Sequence, residues 1–289
     1  MTIRGALRPA LATAALLGLS ACGEHSAATS PPPPTSSAQP AATAGLVLRV
    51  ENTGGFVSPT ATTSRLPLIS VYADGRVLAE GPQIDIYPAP ALPNLQEHRI
   101  DPGVVQGLVD RALSAGVADT SDLGSPPIAD AASTRITVVT ASHTYVRDAY
   151  ALTETPSSGE TGLTEAQRTA RTKLSHLVDA LTGPPADGGT STSYTPSAVA
   201  ALATPWLDPQ DGLTQPDMPW PGPALPGEPM GGLPDLSCVT VSGDPLQAVL
   251  AAAGSANAAT PWVTSDGSRW TVSLRPLLPD ESSCADLAD

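Results

Sequence analysis

The chain has 289 residues, and 41 % of them are hydrophobic, which excludes a wholly disordered protein and leaves ample length for a folded core. It carries 28 Asp and Glu against 14 Lys and Arg, a formal net charge of −14 at pH 7. This acidity argues against nucleic-acid binding, because a protein that meets phosphates needs a basic surface.

Residues 1–21 have the pattern of an export signal. Arg4 and Arg8 precede the apolar run Leu11–Leu19, which is too short to span a bilayer because a spanning helix needs about 20 apolar residues. The run ends in Leu19-Ser20-Ala21-Cys22, which resembles the lipobox of bacterial lipoproteins. The resemblance implies cleavage before Cys22 and a diacylglyceryl group on its sulfur. An ordinary secretory signal with a chance cysteine is the alternative.

A diacylglyceryl group would supply two hydrophobic chains, and two such chains are what stable membrane anchoring requires. The predicted location is therefore the extracytoplasmic face of the cell membrane, with the protein held by its lipid. Cleavage would remove two arginines and no acid, taking the formal charge from −14 to −16. Such a chain is repelled by anionic headgroups, so the lipid rather than charge would hold it.

Residues 22–45 are predicted to be the lipidated cysteine followed by a tether. The segment consists mainly of Ala, Ser, Thr and Pro, with Pro31–Pro34 near its middle, and it has almost no large apolar side chain with which to form a core. Its prolines favour the stiff polyproline II conformation. We expect the tether to hold a folded part away from the membrane.

Residues 46–183 are predicted to form an N-terminal α+β region. Leu46–Val50 has the composition of a strand, and residues 66–79 form a predicted hairpin around the turn Asp74-Gly75. Residues 134–150 are strand-like around Ser142-His143. Helices are predicted where a cap precedes an apolar stripe and a glycine ends it, over residues 101–116, 164–183 and 244–254.

The second half of the chain is predicted to contain a Pro-rich segment and a smaller α+β region. Residues 184–234 either link two parts or lie over the fold, with a possible strand at residues 199–202. Residues 235–289 contain the third predicted helix and a hairpin around Asp266-Gly267. Hairpins separated by single helices predict an α+β fold, in which about three helices pack on one face of antiparallel sheets.

Cys238 and Cys284 remain once Cys22 is set aside, and an even pair in an oxidising compartment predicts a disulfide. A bridge that closes about 47 residues would stabilise the fold by about 4 kcal/mol in the chain-entropy treatment. Two free thiols are the alternative.

The sequence contains no motif that identifies an active site, a metal site or a cofactor site. The four histidines lack the spacing of a zinc site, and neither a nucleophile elbow nor a nucleotide-binding glycine loop is present. We therefore predict no catalytic residue, no metal ligand and no cofactor.

Residues 81–94 are rich in proline and apolar side chains. Rigid apolar loops outside a sheet can form a partner surface, and Tyr87, Leu92 and Leu95 are the predicted contacts. The alternative is a crossover that packs on the protein's own core.

Several turn and strand-end segments resemble a group of uncharacterised lipoproteins from high-GC Gram-positive (actinobacterial) bacteria. The resemblance spans most of residues 46–284 and is carried by Gly54–Val57, Leu66-Pro67, Val71–Val77, Gly81–Asn94 and Arg275–Glu281. It implies an envelope location and gives no catalytic residue.

These observations predict a non-enzymatic binding or scaffolding module. Its partners would be the membrane, through the diacylglyceryl anchor, and an envelope protein or polymer, with no nucleic acid. The alternative is an envelope hydrolase whose active site forms only in three dimensions and leaves no motif.

Overall fold

The computed structural model describes residues 45–155, 162–183, 190–233 and 235–287. Cys22, the predicted signal and all of the predicted tether before Gly45 lie outside these residues. Within the described parts, no helix is long and apolar enough to cross a membrane.

The first sheet has seven strands in the order β6-β5-β1-β2-β3-β4-β7, and all neighbouring strands are antiparallel. Its strands are β1 (Leu46–Gly54), β2 (Ile69–Tyr72), β3 (Arg76–Glu80), β4 (Leu95–Arg99), β5 (Ala132–Val139), β6 (Thr144–Tyr150) and β7 (Thr192–Ser193).

The second sheet has six strands in the order β10-β11-β8-β13-β12-β9, antiparallel except for the β12–β9 pair. Its strands are β8 (Ala198–Pro205), β9 (Met218–Pro219), β10 (Glu228–Pro229), β11 (Ser237–Ser242), β12 (Pro261–Val263) and β13 (Arg269–Pro276).

The described residues contain four α-helices, and together with the two sheets they confirm the predicted α+β class. The helices are α1 (Pro59–Ser64), α2 (Pro102–Ser114), α3 (Glu165–Thr182) and α4 (Asp244–Ala253). The three longer helices are the predicted ones, whereas α1 was not predicted. A short 3-10 helix covers Cys284–Leu287.

Local sequence explains most of the predicted elements. Thr164 and Gln167 form the capping box that begins α3, and Asp101 accepts a hydrogen bond from the Gly103 N–H at the start of α2. At α4, Gly243 rather than Asp244 occupies the N-cap position, and it makes no side-chain cap. The predicted start of this helix at Asp244 agrees with the structure, in which Asp244 is the first helical residue.

Gly75 closes the β2–β3 turn in a conformation that other residues rarely adopt. Its φ is +85°, and a Cβ atom at this position would lie 2.3 Å from the carbonyl oxygen of Ile100.

The first strand of the predicted hairpin began at residue 66. The observed strand β2 is shorter, because it begins only at Ile69.

Apolar faces of the two sheets form separate cores. One face of the first sheet packs against α2 and α3 through side chains that include Val47, Val71, Val109, Leu174 and Leu177. The second sheet packs against α4 through Val241, Val249, Trp262, Val272 and Leu274. β8 is buried along most of its length and its alternate side chains belong to two different apolar clusters, so it is a central strand.

Residues 277–281 follow β13 and pack against the face of the first sheet that α2 and α3 do not cover. Leu278 packs with Tyr72 and Leu78, and the Tyr72 hydroxyl donates to Asp280 Oδ1 at 2.6 Å. Asp280 also pairs with Arg49 of β1 at 2.8 Å. Burial and the hydrogen bond to Asp280 both raise the pKa of Tyr72.

Candidate binding groove and distal loop

Residues 81–94, here called the distal loop, leave the first sheet at the end opposite to Gly45. The carbonyl oxygen of Gly45 accepts a hydrogen bond from Ala73 in the β2–β3 turn at 3.0 Å, and β3 runs from that turn toward the distal loop. β1 is nine residues long, so the two ends of the sheet are separated by about 26 Å.

The distal loop exposes three large apolar side chains. Ile84 is 62 % exposed, Ile86 54 % and Tyr87 73 %. Of the three predicted partner contacts, Tyr87 is thus exposed, whereas Leu92 is half-buried against the second core. Leu95 is buried as the first residue of β4, so it serves the core and cannot be a partner contact.

Backbone hydrogen bonds brace this loop at its base and along its inner side. The Gly81 N–H donates to the Asn94 carbonyl at 2.7 Å, which closes the base. The Ala258 N–H donates to the Ala89 carbonyl at 2.8 Å, and a β-bridge joins Pro90 to Asn257. The loop therefore presents its exposed side chains from a fixed backbone.

A hydrogen bond joins the distal loop to residues 207–217, which carry the exposed side chains of Leu207 and Leu213. The Tyr87 hydroxyl donates to Asp211 Oδ2 at 3.0 Å. This hydrogen bond raises the pKa of Tyr87, because ionisation would lose the donated proton and place two negative charges together. This hydrogen bond connects the two loops at that point.

A groove of about 430 Å³ lies between the inner side of the distal loop, α1 and β13. None of the described residues that line it is charged. Its walls carry hydroxyl groups and small apolar side chains, among them Ser58, Ala61, Ser64, Pro90, Leu92 and Ser273. The groove is therefore chemically neutral although the chain is strongly acidic.

A second groove, of about 250 Å³, contains three aspartates near Trp206. Asp217 pairs with Arg269 at 2.5 Å, and the Arg269 guanidinium lies 5.2 Å from the centre of the Trp206 ring. Asp208 and Asp211 each accept a backbone N–H of their own loop, at 3.0 Å and 2.9 Å. Each of the three carboxylates is thus held by its own loop or by Arg269.

Ser142 and His143 make a serine–histidine contact, with Ser142 Oγ 2.9 Å from His143 Nδ1. Both residues are exposed in the turn between β5 and β6, and no carboxylate contacts the ring within the described residues. A nucleophile needs a base that a third group orients, so this contact does not form a triad. No described group of His, Cys, Asp or Glu is placed to hold a metal ion.

A disulfide joins Cys238 of β11 to Cys284 of the 3-10 helix, with 6.0 Å between the Cα atoms. It fixes the end of the described chain to the second sheet. The Thr240 hydroxyl accepts a hydrogen bond from the Cys284 N–H at 3.0 Å beside this bridge.

The sequence carries no local signal of the groove. α1 buries no residue and has no apolar stripe, so nothing marked it as a wall. Ile84 and Ile86 could have been chosen as partner contacts, since they flank Asp85 in a Pro-rich loop.

No family model, curated protein or solved structure matches the chain.

Proposed function

We propose that this protein is a lipid-anchored lipoprotein of the cell envelope, located outside the cytoplasm, whose distal loop binds an envelope protein or polymer. The observation that carries the binding role is the set of exposed apolar side chains, Ile84, Ile86 and Tyr87, on a braced loop. Contiguous apolar side chains on a soluble surface mark an interaction site.

The position of this loop supports the proposal. A tether that begins at the modified Cys22 would enter the folded part at Gly45, and the distal loop lies at the other end of the same sheet. Phe56, which follows β1, is 88 % exposed at that same end. Partner contacts would then face away from the membrane.

The anchor is tested by replacing Cys22 with Ala and by feeding cells a labelled fatty acid. We expect the native protein to carry the label and to sediment with membranes, and the variant to lose both properties. Equal labelling of the two proteins would refute the anchor.

The binding role is tested in intact cells with a photo-crosslinking residue at Ile86. Val146 on β6 is a matched control, because it is 52 % exposed and belongs to the opposite edge of the first sheet. We expect a discrete crosslinked product from position 86 and none from position 146. The same product from both positions, or no product from either, would contradict the proposal.

A further inference from the structure

We propose that the distal loop, together with Asp211, binds a cationic segment of another envelope protein in which lysine or arginine residues are mixed with apolar ones. This inference rests on the proposed binding function and names the chemical class of the partner. It comes from the way in which carboxylates and exposed apolar side chains are combined at one place on the surface.

The basic residues of the chain are distributed unevenly along the sequence. No lysine or arginine lies between Arg76 and Arg99, an interval that contains the whole distal loop. None lies between Lys173 and Arg269 either, although that interval contains nine Asp and Glu and includes residues 207–217. The two loops that carry exposed apolar side chains therefore both come from stretches of an acidic chain without basic residues.

Within the distal loop, a carboxylate stands between two apolar side chains. Asp85 separates Ile84 from Ile86, and all three side chains are exposed. The backbone hydrogen bonds that brace the loop hold these residues in place. A partner that covers both isoleucines must therefore also meet the carboxylate between them, because the three residues are adjacent in the chain.

A second carboxylate lies beside the hydroxyl group of Tyr87. Asp211 Oδ2 accepts the hydrogen bond from this hydroxyl, and Asp211 Oδ1 accepts the Leu213 N–H at 2.9 Å. Leu213 is 48 % exposed, so this carboxylate is also held next to exposed apolar side chains. We use the name distal patch for six residues, which are Ile84, Asp85, Ile86, Tyr87, Asp211 and Leu213.

The negative charge of the distal patch is not compensated by a nearby cation. Among the residues that the structure describes, neither Asp85 nor Asp211 belongs to an ion pair. Arg269, the basic residue of the groove that contains Asp211, pairs with Asp217 instead. The patch therefore presents apolar side chains together with two carboxylates that a partner can neutralise.

This charge decides which kind of occupant fits. A second copy of the chain would bring the same two carboxylates against the patch, and anionic lipid headgroups or nucleic acid would bring further negative charge. Lysine and arginine side chains can lie with their methylene stems along apolar surface while their charged ends reach a carboxylate. A protein segment that combines these residues with apolar ones satisfies both parts of the patch.

The probe is an end-blocked amphipathic peptide of lysine and leucine, titrated into the full mature protein. Two control peptides have the same length. One consists of lysine and serine and keeps the charge without the apolar side chains, and the other consists of glutamate and leucine and reverses the charge. We expect the lysine–leucine peptide to bind at least tenfold more tightly than either control, because neither control can satisfy both parts of the patch.

Two pairs of matched variants test the location. Asp85→Lys should weaken binding of the lysine–leucine peptide by at least tenfold, whereas Asp179→Lys makes the same charge change at an exposed position of α3 and should leave the affinity within about twofold. Ile86→Ser should also weaken binding by at least tenfold, and Val146→Ser should not change it by more than about twofold. All four variants should keep the circular dichroism spectrum of the native protein.

The peptide titrations can overturn the inference in three ways. The lysine–leucine peptide may fail to bind the native protein, either control peptide may bind as tightly as it does, or Asp85→Lys may bind it as tightly as the native protein. Concentration-dependent dimerisation that Ile86→Ser abolishes would also overturn it, because a second copy would then be the occupant.

Crosslinking from Ile86 in cells separates this inference from the proposed function. We expect Asp85→Lys to abolish the crosslinked product and Asp179→Lys to keep it, with the crosslink on a segment of the partner that contains lysine or arginine. A product that persists in Asp85→Lys, or one formed with an acidic segment or a polymer, leaves the binding function standing and overturns the cationic partner. Absence of any product from the native protein would remove both.

Discussion

Glu281 is the most deeply buried carboxylate among the described ion pairs. It binds Arg275 through two hydrogen bonds, of 2.5 Å and 2.9 Å, and it accepts the Leu278 N–H at 2.8 Å. The side chains of Arg275 and Glu281 are only 4 % and 7 % exposed. Glu281→Gln would leave the shape almost unchanged and leave the Arg275 guanidinium buried without a countercharge.

The expected cost follows from this burial. Removing one partner of a buried pair costs about 3–5 kcal/mol, since the other charge stays in a medium that does not solvate it. Glutamine keeps one carbonyl oxygen as an acceptor, so we expect about 3 kcal/mol, at the low end. In a domain of this size, a loss of 1 kcal/mol in the free energy of unfolding lowers Tm by about 2–4 °C, so we expect Tm to fall by about 6–12 °C.

The assay is urea unfolding followed by tryptophan fluorescence, with Asp148→Asn as the matched control. Asp148 pairs with Arg135 at 2.9 Å on the exposed surface, where such a pair contributes about 1 kcal/mol or less. We expect the Glu281 variant to lose at least about 2 kcal/mol more than the Asp148 variant.

The double variant Arg275→Met with Glu281→Leu separates the cost of a stranded charge from the value of the pair. Apolar side chains of similar volume often replace a buried pair without loss, so the double variant should be more stable than Glu281→Gln. The reasoning is refuted if Glu281→Gln costs no more than Asp148→Asn. It is also refuted if the double variant is the least stable of the three.

Four further substitutions test other parts of the fold. Gly75→Ala should lower the free energy of unfolding by about 2 kcal/mol or more, because the new Cβ would lie 2.3 Å from a carbonyl oxygen. In Gly107→Ala, the new Cβ in α2 meets nothing within 4 Å, so this substitution should stabilise the fold by up to about 1 kcal/mol. Thermal unfolding measures both effects. Cys284→Ser should cost about 4 kcal/mol, since its bridge to Cys238 spans 46 residues, and thiol titration of the unreduced, denatured native chain should find neither cysteine free. Burial raises the pKa of Tyr194 to about 12 from an ordinary value near 10, so its contribution to stability is complete below pH 10 and is lost as the pH rises to 12. Tyr194→Phe should therefore flatten the fall of the unfolding free energy over that pH range, and an unchanged slope would contradict the assignment.

The parts of the fold that sequence analysis predicted are those in which local chemistry and tertiary packing agree. α3 has a capping box and an apolar stripe, and β5 alternates buried and half-buried side chains, so each pattern matches its final environment. The Asp74-Gly75 turn was equally predictable, because it combines a turn dipeptide with a strand on either side.

The parts that were missed depend on partners far away in the chain. β4 has the sequence Leu-Gln-Glu-His-Arg, which lacks the pattern of a strand and pairs because β3 and β7 lie on either side of it. Arg171 was not expected inside α3, yet it is buried and donates to the carbonyl oxygens of Tyr150 and Ala151 at 2.7 Å and 2.8 Å. Neither position carries a local signal of its partners.

The groove was invisible for the same reason. It exists only where α1, the distal loop and β13 meet, and these three elements are separated by long stretches of chain. The exposed side of the distal loop was partly predictable, because Tyr87 belongs to a Pro-rich apolar segment. Leu95 lies close to the same segment, and the sequence could not show that it is buried without showing that β4 begins there.

The central place of β8 also has a consequence for the order in which the molecule assembles. Its two neighbours, β11 and β13, lie later in the chain, so when the chain emerges on the side where it folds, β8 comes first, with neither edge covered and with apolar side chains on both faces. The second sheet can close only once β13 has also emerged, whereas β1, β2 and β5 of the first sheet can already pair. During that interval the chain carries an aggregation-prone strand, and a chaperone that shields residues 198–205 should improve its yield.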